Sequence, residues 1–558
     1  MTLEKMTLYY APDDFRSQKE VFGRTSANHT FLQALLRFGS CSHLSLYVEE
    51  YDAFQRFQKK YVNSIESSRK TVAPIVRGDI PALHRAGLYM HLDPQLSKFS
   101  WSRSYISPTA FSLCGITHTL SPVGVAEELG RLLMAPLGDW DALICTSQAA
   151  KKVVENILLQ WIDYWQYRYQ QRLPISWQLP VLPLGINPDE VVASDLQKAR
   201  DQFRNQYGIG ANDFVVLFLG RLFFYEKAHP LPMYLAMEQL AQRAGKSAKI
   251  HFVQAGWFEK KEDQFAYRQA AKTFCPSVNS ILISNINSDD FKKSLWAGAD
   301  VFLSLADNIQ ETFGITPLEA MANRLPVVVS DWDGYKDTVR EGVDGFLIPS
   351  VVPPSGCGID LSLGYLTGAI NYQTYSGLNA QMTAVDIGRC ANRLWELYNF
   401  PELRKKMGLA AEQRVYEHFS WQKLMPRYEM LWTELSQRRF KAQAQFKKPL
   451  INPPIFADPG HTFSEYGTVV LSPQHSIRRG EASMELFMNL QLCPLGNFGG
   501  QQRLNVQVLQ KIICLVEERN YLVDELVQLV VQNNPAISSG VVVRSLVYLM
   551  KYDLLRLG

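Results

Sequence analysis

Short apolar runs of four to six residues alternate with amphipathic stretches over about the first 430 residues of the chain. The runs include LSLYV (44–48), ALIC (142–145), VVLFLG (215–220), KIHFVQAG (249–256), SILIS (280–284), DVFLSL (300–305) and PVVVS (326–330). They are rich in Val, Ile, Leu and Phe, and their length suits parallel strands buried on both faces. Between them, 230–244, 290–297, 317–323, 386–398 and 402–418 read as helices. Strand–helix alternation predicts an α/β chain whose parallel sheets are wound with crossover helices.

At 558 residues the chain exceeds one domain, and its spacing divides it. One wound unit runs to about Leu184, and VLPLGINPDE (181–190) reads as a hinge. A second begins at Phe214 after a polar helix and continues to about Phe400. The expected domains are therefore 1–190 and 191–400, with further helices over 401–435. Residues 436–500, proline-rich and basic, read as a linker. Three helices over 505–518, 522–532 and 538–551 then suggest a small helical module at 501–558 of winged-helix type. Residues 161–177, with six Trp and Tyr, and the Gly-, Ser- and Pro-rich 350–385 depart from the rhythm. Long irregular segments of this kind are often functional.

Charge and cysteine content narrow the partners. A net charge of +3 gives no global reason to expect nucleic acid or an anionic membrane. The six Lys/Arg and five Asp/Glu of 501–558 give no basic face for DNA. The eight cysteines show no CxxC spacing and read as reduced thiols. Met1–Asp14 lacks the pattern of a secretory signal, and no run of 18 apolar residues exists, so a cytoplasmic location is expected.

Two constellations carry chemistry. In Glu311-Thr-Phe-Gly-Ile-Thr-Pro-Leu-Glu319, a loop follows the strand DVFLSL and opens a helix. Free N–H groups at a helix start attract anions such as a diphosphate, and Gly314 lets a ligand approach the backbone. The same letters spell a capping box in which Glu319 serves only Thr316, and Glu311 reads equally as a solvated loop carboxylate. In FLGRLFFYEK (218–227), Arg221 and Lys227 follow the carboxyl end of a buried strand, where ligands of open α/β sheets bind. Taken alone they are also a surface cation pair.

Together, a strand-end Gly-Arg, a Lys six residues on, and Glu, seven residues, Glu resemble the donor site of retaining glycosyltransferases of the GT-B fold, in particular glycosyltransferase family four. ICTS (144–147), LPLGIN (182–187), EAMANRLPVVVSDWDGYKDTVREGVDGFLIP (319–349) and PELRKKMGLAAEQRVYEHFSW (401–421) agree with it. The resemblance covers about residues 5–435. It implies two Rossmann-like domains facing a cleft, with the 401–435 helices crossing back to the first. It also implies sugar transfer, with retention, from a nucleotide diphosphate sugar. Arg221 and Lys227 would contact the diphosphate, Glu311 the sugar and Glu319 the ribose, with backbone amides near Phe313, Gly314 and Ile315 beside them. His118, in CGITHTLSP, would lie near the reacting sugar; a lone histidine is also commonly structural.

Departures stand beside the match. The family usually has a glycine pair where this chain has Gly23-Arg24, which puts acceptor geometry in question; Gly23, Arg24, Asn28 and His29 are acceptor-side candidates. Asn323-Arg324 stands where glycine is common, and Asp337 where the family has Glu. Asp331-Trp-Asp333 matches the metal motif of the other major glycosyltransferase fold. With Arg221 and Lys227 present, no metal and no resident cofactor are expected. The acceptor is open among sugar, peptide or protein, and lipid, with peripheral membrane contact and oligomers both compatible. The competing functions are a non-catalytic scaffold and a nucleic-acid-binding regulator acting through the C-terminal module.

Overall fold

The computed structural model describes residues 5–12, 23–62, 70–286, 288–446, 453–455 and 457–558. Its chain divides into two units, Met1–Ile455 and Phe456–Gly558.

Every apolar run named above lies in a strand of the first unit. One sheet comprises β1 (Lys5–Tyr9), β2 (His43–Val48), β3 (Thr71–Val76), β4 (Leu88–His91), β5 (Ser112–Ile116) and β6 (Ala142–Ile144), in the order 3-2-1-4-5-6. The other comprises β7 (Phe214–Leu219), β8 (Ile250–Ala255), β9 (Asn279–Ile283), β10 (Val301–Ser304), β11 (Val327–Ser330) and β12 (Gly345–Ile348), in the order 12-11-10-7-8-9. All pairings are parallel. All six residues of β7 and all six of β8 are buried, as helices on both faces require. This is the two-lobed GT-B architecture. In each sheet the order reverses once, between β1 and β4 and between β7 and β10, and ligands of such sheets bind beyond the strand ends at that point.

The lobes are joined twice. The chain crosses near Ile186 and returns at Ser420, and the two crossings bond to each other: the Ile186 N–H donates to the Phe419 carbonyl and the Trp421 N–H to that of Ile186, each at 3.0 Å. The Trp421–Ala442 helix then packs on the first lobe. Trp421, Tyr428 and Trp432 are fully buried, and the rings of Trp421 and Tyr428 each lie 5.5 Å from that of Phe31 on the Gly23–Phe38 helix. Aromatic pairs of this kind add about 0.5–1.5 kcal/mol each beyond burial. A buried ion pair ties the first sheet's last strand to its loops. Asp141, just before β6, receives Arg103 at 2.6 and 2.7 Å, and also the amides of Leu113 (2.8 Å) and Gly138 (2.9 Å).

Three segments differ from expectation. Residues 350–385 contain β13 (Ser350–Val351) paired antiparallel with β14 (Ala384–Val385), and the helices Ile359–Leu366 and Tyr372–Gln381. Helices of eight and ten residues are too short to print a clear period. Residues 161–177 split between a long helix, Gln148–Tyr169, and the strand-like return that buries Trp177; Tyr164, Tyr167 and Tyr169 face solvent.

The 436–500 stretch is not wholly a linker. The Trp421–Ala442 helix extends into it, residues 447–452 and 456 lie outside the described residues, and the second unit takes its later part. There β15 (Ser476–Arg479) is the central strand of an antiparallel sheet with β16 (Tyr521–Leu522) and β17 (Leu555–Leu557). Ile477 of β15 and Phe487 of the Met484–Leu492 helix are completely buried in that unit's core with the helices Val506–Glu518, Val523–Asn533 and Ser539–Lys551. A four-residue strand reading Ser-Ile-Arg-Arg has one apolar residue to announce it.

Candidate active site

Lys227 and Glu311 meet at the strand-order reversal of the second sheet. Lys227 comes from the loop after β7 and Glu311 from the loop after β10, and the ammonium donates directly to Glu311 Oε2. The two side chains are 15% and 16% exposed, so the pair lies partly out of water. Burial pushes the Glu311 carboxyl up, but the Lys227 charge and the amides of Phe313 and Thr312 outweigh it and hold the group below the usual carboxylate range. The reading of Glu311 as a solvated loop residue therefore fails.

Arg221 stands beside this pair, donating to Glu226 Oε2 at 2.9 Å. Gln310, with its amide turned to satisfy both ends, accepts from Arg221 and donates to Glu226 at 3.1 Å. Tyr372, from the 350–385 segment, lies 3.3 Å from Gln310 and 2.8 Å from Ser121 of the first lobe.

The Ile315–Ala322 helix begins at this spot. Gly314 caps it with φ +80°, and a Cβ there would lie 2.1 Å from Tyr335 Cε1, so only glycine fits. No side chain caps the helix, which removes the capping-box reading of Thr316 and Glu319. Glu319 turns instead to Lys292 Nζ at 2.8 Å, while its Oε2 and the Thr316 hydroxyl are buried without partners. Phe313 is 2% exposed, and its ring packs toward Phe419, 6.4 Å away, so the site receives its backbone rather than its ring.

The first lobe holds the remaining candidates. His118 follows β5, and its Nε2 lies 3.1 Å from the Leu92 carbonyl. A carbonyl only accepts, so Nε2 carries the hydrogen and Nδ1 the lone pair. Burial, then the charge of Arg24, push this imidazole down to about 3, which keeps it neutral at ordinary pH. Arg24, on the first turn of the helix that starts at Gly23, pairs with Asp93 at 3.0 Å. Asn28 is 2% exposed, on the buried side of that helix, and His29 Nδ1 lies 3.0 Å from the Tyr61 hydroxyl. The lobes touch at the donor loop: the Ser147 hydroxyl donates to the Thr312 carbonyl (2.8 Å), and the Gln148 N–H to Asp337 (2.6 Å).

Residues 199–353 match the family described as glycosyl transferases group 1. That segment holds Arg221, Lys227, Glu311 and Glu319 together, so the family resemblance drawn from the motifs stands at this level. An uncharacterized glycosyltransferase of Methanocaldococcus jannaschii is 27% identical over 224 residues, 38% of this chain and 54% of its own length. The chain thus spans about half the length of the curated relative it matches. Among solved structures, a glycosyltransferase from Rickettsia africae is similar at 13% identity and a TM-score of 0.49, over 78% of this chain and 99% of that one. Anabaena HepE, in complex with UDP and glucose, is similar at 14% identity and a TM-score of 0.46, over 79% and 100%.

The structure also brings in residues that the motifs did not mark. Lys292 lies on a helix (Asp289–Gly298) whose sequence shows only a Ser288 cap, and Gln310 and Tyr372 carry no spacing signal. Asp337, noted as a departure, bonds across to the first lobe. Arg324, at a position where glycine is common, takes φ +60°, held by Glu412 at 2.9 Å. Among the described residues no three His, Cys, Asp or Glu side chains are grouped as metal ligands, and no helix is long and apolar enough to cross a membrane.

Proposed function

We propose that this protein transfers a sugar, with retention of anomeric configuration, from a nucleotide diphosphate sugar to an acceptor. One observation carries the reading: a lysine from the end of β7 and a carboxylate from the end of β10 meet at the sheet's switch point, against the start of a helix. Cations and free amides there suit a doubly charged leaving group.

Lys227 exchanges Glu311 for the diphosphate when the donor binds. Arg221 and Lys227, with the amides of Gly314 and Ile315, hold the leaving phosphate as the glycosidic bond breaks and charge grows on its oxygen. Pro317 contributes no N–H. Glu311, released from Lys227, accepts from a sugar hydroxyl, and Glu319 from the ribose. Neutral His118 sets its Nδ1 lone pair toward the reacting sugar. The departing phosphate takes the acceptor's proton on the same face, and Glu311 has no covalent role. Closure of the two lobes keeps out water that would hydrolyse the donor. Cationic side chains fill the part a metal would play, so no resident metal or cofactor is assigned. The acceptor is a sugar, peptide or lipid approaching from the Arg24 side. A reducing, cytoplasmic setting is supported by eight free cysteines.

The test is a thermal-shift screen against UDP, GDP, ADP and dTDP, followed by release of the nucleoside diphosphate from its sugar conjugates. One nucleotide should raise the melting temperature of the folded protein and be released on turnover. If none of the four binds, the reading is wrong.

A further inference from the structure

Asp333 sits in the turn after β11 under unusual conditions. Its φ is +38°, a left-handed conformation that side chains other than glycine, asparagine and aspartate rarely adopt. Its Oδ1 accepts the Tyr335 N–H at 3.2 Å, but its Oδ2 is cut off from water and has no partner. The turn is pressed against the donor loop: a Cβ on the next residue, Gly334, would lie 2.5 Å from Phe313 Cα and 2.7 Å from the Thr312 carbonyl. Asp333 therefore adjoins the Glu311–Gly314 loop, within the electrostatic reach of both Glu311 and Lys227.

One ammonium neutralises one carboxylate. Glu311 takes Lys227 and stays ionised. Burial first, and the charge of Glu311 second, hold the Asp333 carboxyl well above its ordinary range. Asp333 is thus the more readily protonated of the two acids beside this contact, and in that form it can donate a hydrogen bond. Neighbouring hydroxyls of a pyranose both donate and accept, and match such a pair.

Resting on the function proposed above, we propose that Asp333 reads the transferred sugar, its Oδ2 edge meeting a hydroxyl of the hexosyl group and so selecting among nucleotide sugars. Water does not reach Oδ2. A diphosphate that draws the ammonium away opens the pair, and the sugar follows into the space beside the two carboxyls.

The experiment compares wild type with Asp333→Gly and Asp333→Asn. Calorimetry gives the affinity of each for the nucleoside diphosphate that binds best and for its glucose and galactose conjugates. Asp333→Gly should melt no lower than wild type, because glycine accepts the turn. It should bind the bare diphosphate within about twofold, yet lose at least about tenfold in discrimination between the two sugars. Wild-type discrimination should fall as pH rises through the elevated carboxyl pKa; Asp333→Asn, which cannot ionise, should show no such fall. Full discrimination in Asp333→Gly, or an equal loss of bare-diphosphate binding, overturns the assignment while leaving the proposed function standing. Failure of wild type to bind any diphosphate overturns both.

Discussion

Replacing Glu311 by Gln should strengthen nucleotide binding while abolishing most turnover, a reversal of sign that few other arrangements would give. In the ligand-free protein Lys227 is engaged by Glu311, so a diphosphate must break that contact first. Two unit charges about 4 Å apart at an effective dielectric near 20 attract by about 4 kcal/mol. Exposed pairs retain only about 0.2–1 kcal/mol of that after ordering and screening. With side chains 15% and 16% exposed, this pair falls between those limits; about 1.4 kcal/mol, toward the lower one, is the value used for the expectation. Glu311→Gln removes the competitor, so the Kd for the bare nucleoside diphosphate should drop about tenfold. Turnover of the sugar conjugate should meanwhile fall by about 10²–10³, the usual cost of losing one fixed electrostatic contact in a transition state. Isothermal titration calorimetry with the bare diphosphate and a coupled diphosphate-release assay read the two quantities separately. A Gln variant that binds the diphosphate tenfold more weakly than wild type would refute the reasoning, because Glu311 would then be a nucleotide ligand rather than a rival for Lys227.

Glu319→Gln should weaken the bare diphosphate and its sugar conjugate equally, by about 10–100-fold, since a hydrogen bond to a charged acceptor is worth about 1.5–3 kcal/mol; unequal losses would move Glu319 to the sugar. Arg103→Met should strip the buried Asp141 of its ion-pair partner and cost about 3–5 kcal/mol, read as a lower urea midpoint, and a change below about 1 kcal/mol would show that the pair is dispensable.

The parallel sheets were legible through their central strands, which are buried on both faces. A run such as FVVLFL has no polar residue to confuse its period, and all of it is core. The Arg221, Lys227, Glu311 and Glu319 motif could be picked out for a related reason: its members are placed relative to strand ends, and strand ends can be read. What lay hidden depends on how separate segments meet. No local pattern announces that Lys292 reaches Glu319, that Tyr372 reaches Ser121, or that Asp337 receives the Gln148 amide from the other lobe. Asp333 was visible as half of a metal motif, but its chemistry comes from the neighbouring Lys227–Glu311 contact, which the sequence does not display. The short strand β15 escaped for want of apolar letters.

The two crossings between the lobes lie side by side, laced by reciprocal backbone bonds at Ile186. A door hung on two adjacent pins swings but does not slide. Opening and shutting of this molecule should therefore be a rotation about that one seam, with the far rims of the lobes travelling most. A fragment ended at residue 400 would keep both sheets yet lose one pin, and would leave Phe31 without the indole and phenol rings that cover it.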